Sequence, residues 1–175
     1  MFKIDRKIEI DAGHRIRSHG SKCRNLHGHR YSVHMTLSAD ELATHGSETG
    51  MVLDFSFAKD AMVQCIDELC DHALIVDAED EYLLQVLDIH GPARDVRTSG
   101  VALPLTNGEG MKIYLVPFSP TAEALAKHWY ELLSDKVATL GHGAAQVRVD
   151  TIRVYETPNC WAEYPAGNLG GAQHV

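Results

Sequence analysis

Two alternating stretches separated by a histidine-rich segment constrain the fold of this chain more than any other feature. Residues 2–10 and 31–37 alternate apolar with polar side chains, which predicts two half-buried strands. Residues two apart in an extended chain point to the same side, so His27 and His29 can face one point. His14, at the end of the preceding strand, can supply a third nitrogen if the two strands pair.

The three histidines predict the ligand set of a catalytic metal site. Three neutral imidazoles with an open fourth position bind catalytic zinc, whereas structural zinc sites have four ligands and favour cysteine. The chain has 11 histidines, so a His-x-His pair alone would be a weak signal. A third histidine and a nearby thiol in one loop strengthen it. We therefore predict Zn²⁺ bound by His14, His27 and His29, and interpret His19 and His34 as structural residues.

Cys23, the thiol in this loop, has two interpretations. A cation and basic neighbours favour the thiolate over the thiol, which would make Cys23 a base beside the metal. Alternatively, the thiolate could complete a closed, four-ligand site. The chain's four cysteines form no regular framework, and residues 1–5 lack the pattern of a signal peptide. We expect free thiols in a reducing, cytoplasmic compartment.

The distribution of charge indicates the class of partner. The net charge is -8, whereas phosphate backbones and anionic membranes are bound through clustered Lys and Arg. Residues 12–39 nevertheless lack Asp and Glu, and their cations are Arg15, Arg17, Lys22, Arg24 and Arg30. A local positive field suits a small anionic ligand, and a solvated basic loop would show the same pattern. We expect a small-molecule partner, and neither nucleic acid nor a membrane.

The remaining pattern predicts an α+β arrangement. Apolar spacing predicts a helix over residues 56–69, capped by Ser56, and a second helix after Pro120, capped by Ser119 or Thr121. Further strands are predicted from alternating or apolar runs, and these are residues 112–116, 147–155 and 160–164.

The chain is expected to form a single domain over residues 1–165. Residues 80–110 contain Gly91-Pro92 and Asn107-Gly108, which predict a long excursion without regular structure. The glycine-rich residues 166–175 predict a flexible tail.

Asp71-His72 and Glu156 are further candidate functional residues. A carboxylate beside an imidazole can orient it and stabilise its protonated form, as an acid/base relay requires. A histidine at a helix end is also a common partner of the helix dipole. A carboxylate at a strand end, such as Glu156, can accept two parallel hydrogen bonds from a pterin or guanine edge, or be an ordinary surface residue.

Taken in order, these segments resemble one enzyme family. They are His14 in Ala-Gly-His, Cys23-x3-His27-Gly-His29, Gly50-Met51-Val52-Leu53-Asp54-Phe55, Asp71-His72, Pro120-Thr121-Ala122-Glu123 and Tyr155-Glu156-Thr157-Pro158. The combination is similar to the 6-pyruvoyl-tetrahydropterin synthase and 6-carboxytetrahydropterin synthase family, over residues 2–165.

The resemblance implies a tunnelling fold, with an antiparallel four-stranded sheet and two helices packed on one face. Three subunits would close a β-barrel with active sites between subunits, and the assembly would be this trimer or a homohexamer of two stacked trimers. The histidines would bind zinc, Cys23 would be the general base, and Asp71-His72 of a neighbouring subunit would complete the proton relay. Glu156 would bind the pterin edge, with Thr121 and Glu123 near that pocket.

The implied substrate is 7,8-dihydroneopterin triphosphate. Three residues between Cys23 and His27 resemble the bacterial carboxy-forming branch, whose products are 6-carboxy-5,6,7,8-tetrahydropterin, a queuosine precursor, acetaldehyde and triphosphate. Arg30 stands where the family usually has Asn and is a candidate contact for the triphosphate. The alternatives are triphosphate elimination by the pyruvoyl-forming branch, a dihydroneopterin-cleaving relative, a non-catalytic pterin- or purine-binding module, and a metal-storage or sensing protein.

Overall fold

The structure is a computed structural model that describes residues 1–140 and 146–165. Its strands and α-helices are β1 (Phe2–His14), β2 (His27–Ala39), α1 (Phe55–Met62), α2 (Glu68–Cys70), β3 (Leu74–Asp77), α3 (Glu81–Leu87), α4 (His90–Ser99), β4 (Leu103–Thr106), β5 (Lys112–Val116), α5 (Ala122–Thr139), β6 (Arg148–Thr157) and β7 (Cys160–Tyr164). The predicted tail, residues 166–175, lies outside the described residues.

The strands form one mixed sheet in the order β4-β5-β3-β1-β2-β6-β7. Within it β1, β2, β6 and β7 are antiparallel neighbours. The prediction of a four-stranded antiparallel sheet was wrong in extent, because β3 runs parallel to both β1 and β5 and extends the sheet beyond β1. A four-residue apolar strand such as β3 cannot be told from a buried helical segment by periodicity.

The long hairpin of β1 and β2 separates a buried face from a polar face. Its register runs from Phe2 opposite Ala39 to His14 opposite His27. From Tyr31 onward, every second residue of β2 is fully buried, while the residues between them are partly exposed up to position 36. The predicted alternation is confirmed, and both strands extend as far as the histidines.

The first helix covers the buried face of this hairpin and is interrupted near its end. α1 continues through a π-helical turn, Val63–Asp67, into α2, which ends at Cys70, as predicted. The helix is capped by Asp54, whose carboxylate accepts the Ser56 N–H at 2.7 Å. The prediction of Ser56 as the cap was wrong, because its hydroxyl also donates to the Asp54 carboxylate.

The second main helix, α5, packs beside α1 and over β6 and β7. Thr121 is its cap, as predicted, and accepts the Ala124 N–H. The buried residues of α5 are Leu125, Ala126, Trp129, Leu133 and Val137. Within the described part of the chain, none of the helices combines the length and the apolar character that crossing a bilayer requires.

The segment predicted to be irregular, residues 80–110, is largely regular. The Asp80 carboxylate caps α3 by accepting the Leu83 N–H. The helices α3 and α4 cover β3 and β5 around a second cluster of buried apolar residues. Gly91-Pro92 lies in the first turn of α4, where proline removes no intrahelical hydrogen bond. Asn107-Gly108 forms the turn between β4 and β5. The prediction was wrong because both dipeptides mark the boundaries of regular elements.

His128 on α5 is a titratable group that should make stability depend on pH. The Tyr114 hydroxyl lies 2.7 Å from its Nε2, and Phe118 contacts its ring. Burial, the largest cause, lowers the pKa of His128 from 6.5 to about 4. Because the unfolded chain binds this proton more tightly, the free energy of unfolding should fall as the pH drops from 6.5 to about 4, by at most about 3 kcal/mol.

Urea unfolding across this pH range, with a chelator present, measures the effect. His128→Gln keeps an acceptor for Tyr114 but cannot titrate. Its free energy of unfolding should therefore fall less steeply on acidification than that of the unmodified chain. Identical slopes for the two proteins would show that His128 does not contribute.

Candidate active site

The ends of β1 and β2 bring three histidines together. His14 is the last residue of β1 and lies opposite His27, the first residue of β2. His29 follows two positions later, on the same side of the strand. One ring nitrogen from each histidine lies within 4.8 Å of the others. The hairpin register therefore assembles the cluster.

Hydrogen bonds determine which nitrogen of two rings faces the cluster. His14 Nδ1 lies 2.7 Å from the Pro120 carbonyl oxygen, and His27 Nδ1 lies 2.8 Å from the Asn25 carbonyl oxygen. A carbonyl oxygen only accepts, so each Nδ1 carries a proton, and in the neutral ring it is the Nε2 atom that presents a lone pair. The Nε2 atoms of His14 and His29 are buried, with no hydrogen-bond partner among the described residues. A divalent cation would satisfy both atoms.

Burial keeps two of these imidazoles in the neutral form that binds metals. His14 is 1% exposed, and burial lowers its pKa to about 4. Burial also lowers the pKa of His29, against the opposing effect of the Glu156 charge. The Tyr31 ring contacts both rings edge-on. Three neutral imidazoles fit zinc or another late divalent ion.

A cavity of about 290 Å³ opens beside the cluster. His14 lines it together with four other residues that the sequence analysis identified: Cys23, Thr121, Glu123 and Glu156. These side chains come from three separate places, because Cys23 lies in the loop after β1, Thr121 and Glu123 at the start of α5, and Glu156 in β6. The fold therefore brings a thiol, two carboxylates and the histidine cluster to one cavity.

Six residues that the sequence did not assign to the site also line this cavity, and three of them carry an imidazole, a thiol or an indole: His19, Cys160 and Trp161. The only available signal for His19 was its place in the loop that lacks acidic residues. Cys160 reaches the cavity because β7 pairs with β6, which places its sulfur 3.0 Å from the Thr157 hydroxyl. The turn predicted at residues 157–159 indicates that the two strands pair, but the register of β7 cannot be read from residue types.

Asp71 and His72 do not reach this cavity within one chain. They lie beside β1, where the Asp71 carboxylate accepts the Asp11 N–H at 2.9 Å and the His72 N–H donates to the Asp11 carbonyl at 2.7 Å. The His72 ring is 3.7 Å from the Asp71 carboxylate, and its side chain is 79% exposed. His72 also adopts a φ of 56°, which is uncommon for a residue with a side chain. To act on a molecule bound in the cavity that Cys23 lines, Asp71 and His72 would have to come from another subunit.

The loop after β1 is less basic than its composition suggested. Arg15 forms two hydrogen bonds, of 2.5 and 2.8 Å, with the buried carboxylate of Asp80. Arg17 pairs with the buried Asp77 at 3.2 Å. Asp80, at the start of the segment predicted to be an excursion, and Asp77, at the end of β3, therefore neutralise two of the cations and hold the loop beside the cavity.

Arg30 is placed differently from the ligand histidines. Arg30 directly follows His29 in β2, so the two side chains point to opposite sides of the strand. Arg30 does not line the cavity beside His14. Its guanidinium donates to both carboxylate oxygens of Asp11, at 3.0 and 2.6 Å. Within one chain, the guanidinium therefore forms an ion pair with Asp11. A contact between Arg30 and a triphosphate stays a prediction.

Gly28, between two of the histidines, allows the strands to approach closely. A Cβ at this position would lie 2.9 Å from the Ala12 carbonyl oxygen on β1. We expect Gly28→Ala to force the strands apart, lowering the free energy of unfolding by about 1–3 kcal/mol and weakening metal binding. Chemical denaturation and a metal titration measure the two effects.

Gly20→Ala is the matched control, because a Cβ at Gly20 meets nothing within 4 Å. This variant should unfold and bind metal like the unmodified chain. If Gly28→Ala did the same, the close approach of the strands would have no role in forming the site.

Comparisons with known proteins agree on one family. The family model described as 6-pyruvoyl tetrahydropterin synthase matches residues 3–167. A protein of Rickettsia felis named 6-carboxy-5,6,7,8-tetrahydropterin synthase is 35% identical over 163 residues, which cover 93% of this chain and 99% of that protein. A protein of the same name from Haemophilus influenzae is 32% identical over 164 residues, covering 94% of this chain and 99% of that protein.

Solved structures share the fold. An uncharacterized protein from Wolinella succinogenes superposes with a TM-score of 0.70 at 26% identity, covering 93% of this chain and 96% of that chain. The 6-pyruvoyl tetrahydropterin synthase of Plasmodium vivax has a TM-score of 0.57 at 15% identity, covering 93% and 97%. At that identity the second likeness concerns the fold alone.

Proposed function

Because the chain belongs to the 6-pyruvoyl tetrahydropterin synthase family, we propose that it is a 6-carboxy-5,6,7,8-tetrahydropterin synthase. It would convert 7,8-dihydroneopterin triphosphate and one water molecule to 6-carboxy-5,6,7,8-tetrahydropterin, acetaldehyde and triphosphate, a step of queuosine precursor synthesis. Relatives that cover almost the whole chain and bear this name support the carboxy-forming branch. The three-residue spacing between Cys23 and His27 supports the same branch.

The strongest support for this proposal is the position of two buried histidine nitrogens beside the cavity. Buried Nε2 atoms of His14 and His29 lack hydrogen-bond partners among the described residues, and they lie beside the cavity that Cys23 and Glu156 line. With His27 they form a set of three nitrogens, which suits a catalytic zinc with a position open to substrate. A zinc ion bound there would polarise side-chain oxygens of the substrate and acidify the adjacent carbon.

The residues around the cavity take distinct roles in this proposal. The Cys23 thiolate accepts a proton from the substrate side chain. His72, oriented by Asp71, moves a proton on the other side of the substrate. The Glu156 carboxylate accepts two N–H groups from the pterin edge, and Thr121 and Glu123 border the same pocket.

We propose further that the working site lies between subunits of a homotrimer or a homohexamer built from the tunnelling fold. The separation of Asp71-His72 from the Cys23 cavity supports this, because one chain alone does not assemble the relay. In the described residues β7 is an edge strand of the sheet, and unpaired edges favour pairing with another chain. Residues 1–165 would act as a single domain within that assembly.

The test is to incubate zinc-loaded protein with 7,8-dihydroneopterin triphosphate and measure acetaldehyde and triphosphate together. The carboxy-forming reaction releases them in equal amounts. Triphosphate without acetaldehyde would instead assign the chain to the pyruvoyl-forming branch. Tight binding of the pterin without release of either product would leave only a binding function.

A further inference from the structure

Glu156 has an unusual place for a residue that only binds substrate. Its Oε1 lies 3.9 Å from His14 Nε2, and its Oε2 lies 3.9 Å from His29 Nε2. The carboxylate therefore faces both buried nitrogens that lack hydrogen-bond partners. No N–H or O–H group of the described residues donates a hydrogen bond to it, and its side chain is 25% exposed.

The backbone of β6 explains how the carboxylate reaches this position. Tyr155 pairs with Trp161 and Thr157 pairs with Cys160, so Glu156 is the additional residue where the register shifts. A bulge of this kind re-aims the side chain of the extra residue. Glu156 is consequently turned toward the ends of β1 and β2 instead of pairing across to β7.

The distances are close to those of a ligand set. Zinc lies about 2.0–2.2 Å from histidine nitrogens and carboxylate oxygens, so ligand atoms in a tetrahedral site are roughly 3.4 Å apart. The separations of 3.9 Å differ from this value by about half an ångström. A small rotation within the flexible Glu156 side chain closes that difference without moving a strand.

We propose that Glu156 is the fourth ligand of the metal when no substrate is bound, and that it leaves the metal to bind the pterin edge. This inference rests on the proposed function, because it requires both a metal at the histidines and a pterin in the cavity. The two interactions exclude one another, since the metal would take an oxygen that the pterin edge needs for its second hydrogen bond. Recognition of the pterin ring would thereby free a coordination position for the substrate side chain. Without a pterin, the three histidines and Glu156 would occupy all four positions of the metal.

Cobalt(II) is a suitable probe, because its visible spectrum reports the number and type of its ligands. The metal-free protein is loaded with one Co²⁺ per chain, and its affinity is measured by competition with a chelator. Glu156→Gln should bind Co²⁺ at least about 10-fold more weakly and should have a different visible spectrum. Glu123→Gln is the matched control, because Glu123 lines the same cavity. Its affinity and spectrum should equal those of the unmodified chain.

A pterin without side-chain hydroxyls, 7,8-dihydropterin, tests the exchange itself. It should change the Co²⁺ spectrum of the unmodified protein and leave that of Glu156→Gln unchanged. A pterin-free spectrum of Glu156→Gln identical to that of the unmodified protein, with or without weaker binding, would overturn the inference, because the carboxylate would then be only a charged neighbour. A spectrum of the unmodified protein that dihydropterin does not change would overturn it as well. Failure of the unmodified protein to bind Co²⁺ at all would instead overturn the metal site on which the proposed function depends.

Discussion

Cys23→Ala is expected to lower the turnover of 7,8-dihydroneopterin triphosphate by about 10²–10⁴-fold, the usual contribution of a positioned general base. Cys23 lines the cavity beside His14, and the three-histidine cluster is complete without it. The variant should therefore keep its metal. Turnover under saturating substrate and metal content per chain are the two measurements.

Cys160→Ala is the control, since this second thiol lines the same cavity and has no assigned role. Its turnover should stay within a few-fold of the unmodified rate. Loss of metal from Cys23→Ala would instead make Cys23 a ligand, the alternative that the sequence left open. Assemblies mixed from Cys23→Ala and His72→Ala chains should regain part of the activity, because some sites between subunits would then contain both residues.

His29→Ala is expected to weaken metal binding by more than about 100-fold and to abolish turnover. Removal of a direct ligand should cost more than removal of the groups that orient ligands, which costs about 10–100-fold. The loss should also leave the Nε2 of His14 without the metal that would satisfy it. Metal content after dialysis against a weak chelator measures the effect, and excess zinc should restore little activity.

His34→Ala is the matched control for this ligand. His34 lies on the same strand but on its polar face, where its Nδ1 is 3.0 Å from the Asp5 carboxylate. This variant should retain metal and turnover. Metal retained by His29→Ala, or lost from His34→Ala, would show that the cluster at the strand ends is not the binding site.

The hairpin that forms the cluster could be predicted because one local rule, the alternation of apolar and polar residues, holds along it. Alternation predicted which face of β2 is buried, and Tyr31 and Val33 are indeed 0% exposed. The same alternation, carried back along β2, predicted that His27 and His29 share a side. Thr121 could be identified as a helix cap for a similar reason, since capping depends only on neighbouring residues.

The features that were missed depend on contacts between distant segments. Asp80 looked like part of a loop, yet it is 2% exposed and holds Arg15 in place from 65 residues away. The turn around His72 is fixed by hydrogen bonds to Asp11, and its left-handed backbone has no signal in the residue type. The contact between Glu156 and the histidines requires the register shift between β6 and β7, which no local pattern encodes.

The mass of the pterin formed when zinc-loaded protein is incubated with 7,8-dihydroneopterin triphosphate tests the proposed reaction itself. We expect the mass of 6-carboxy-5,6,7,8-tetrahydropterin, and its loss when the metal is removed. Unchanged substrate in the presence of fully metal-loaded protein, or a pterin formed equally well without metal, would contradict the proposed reaction.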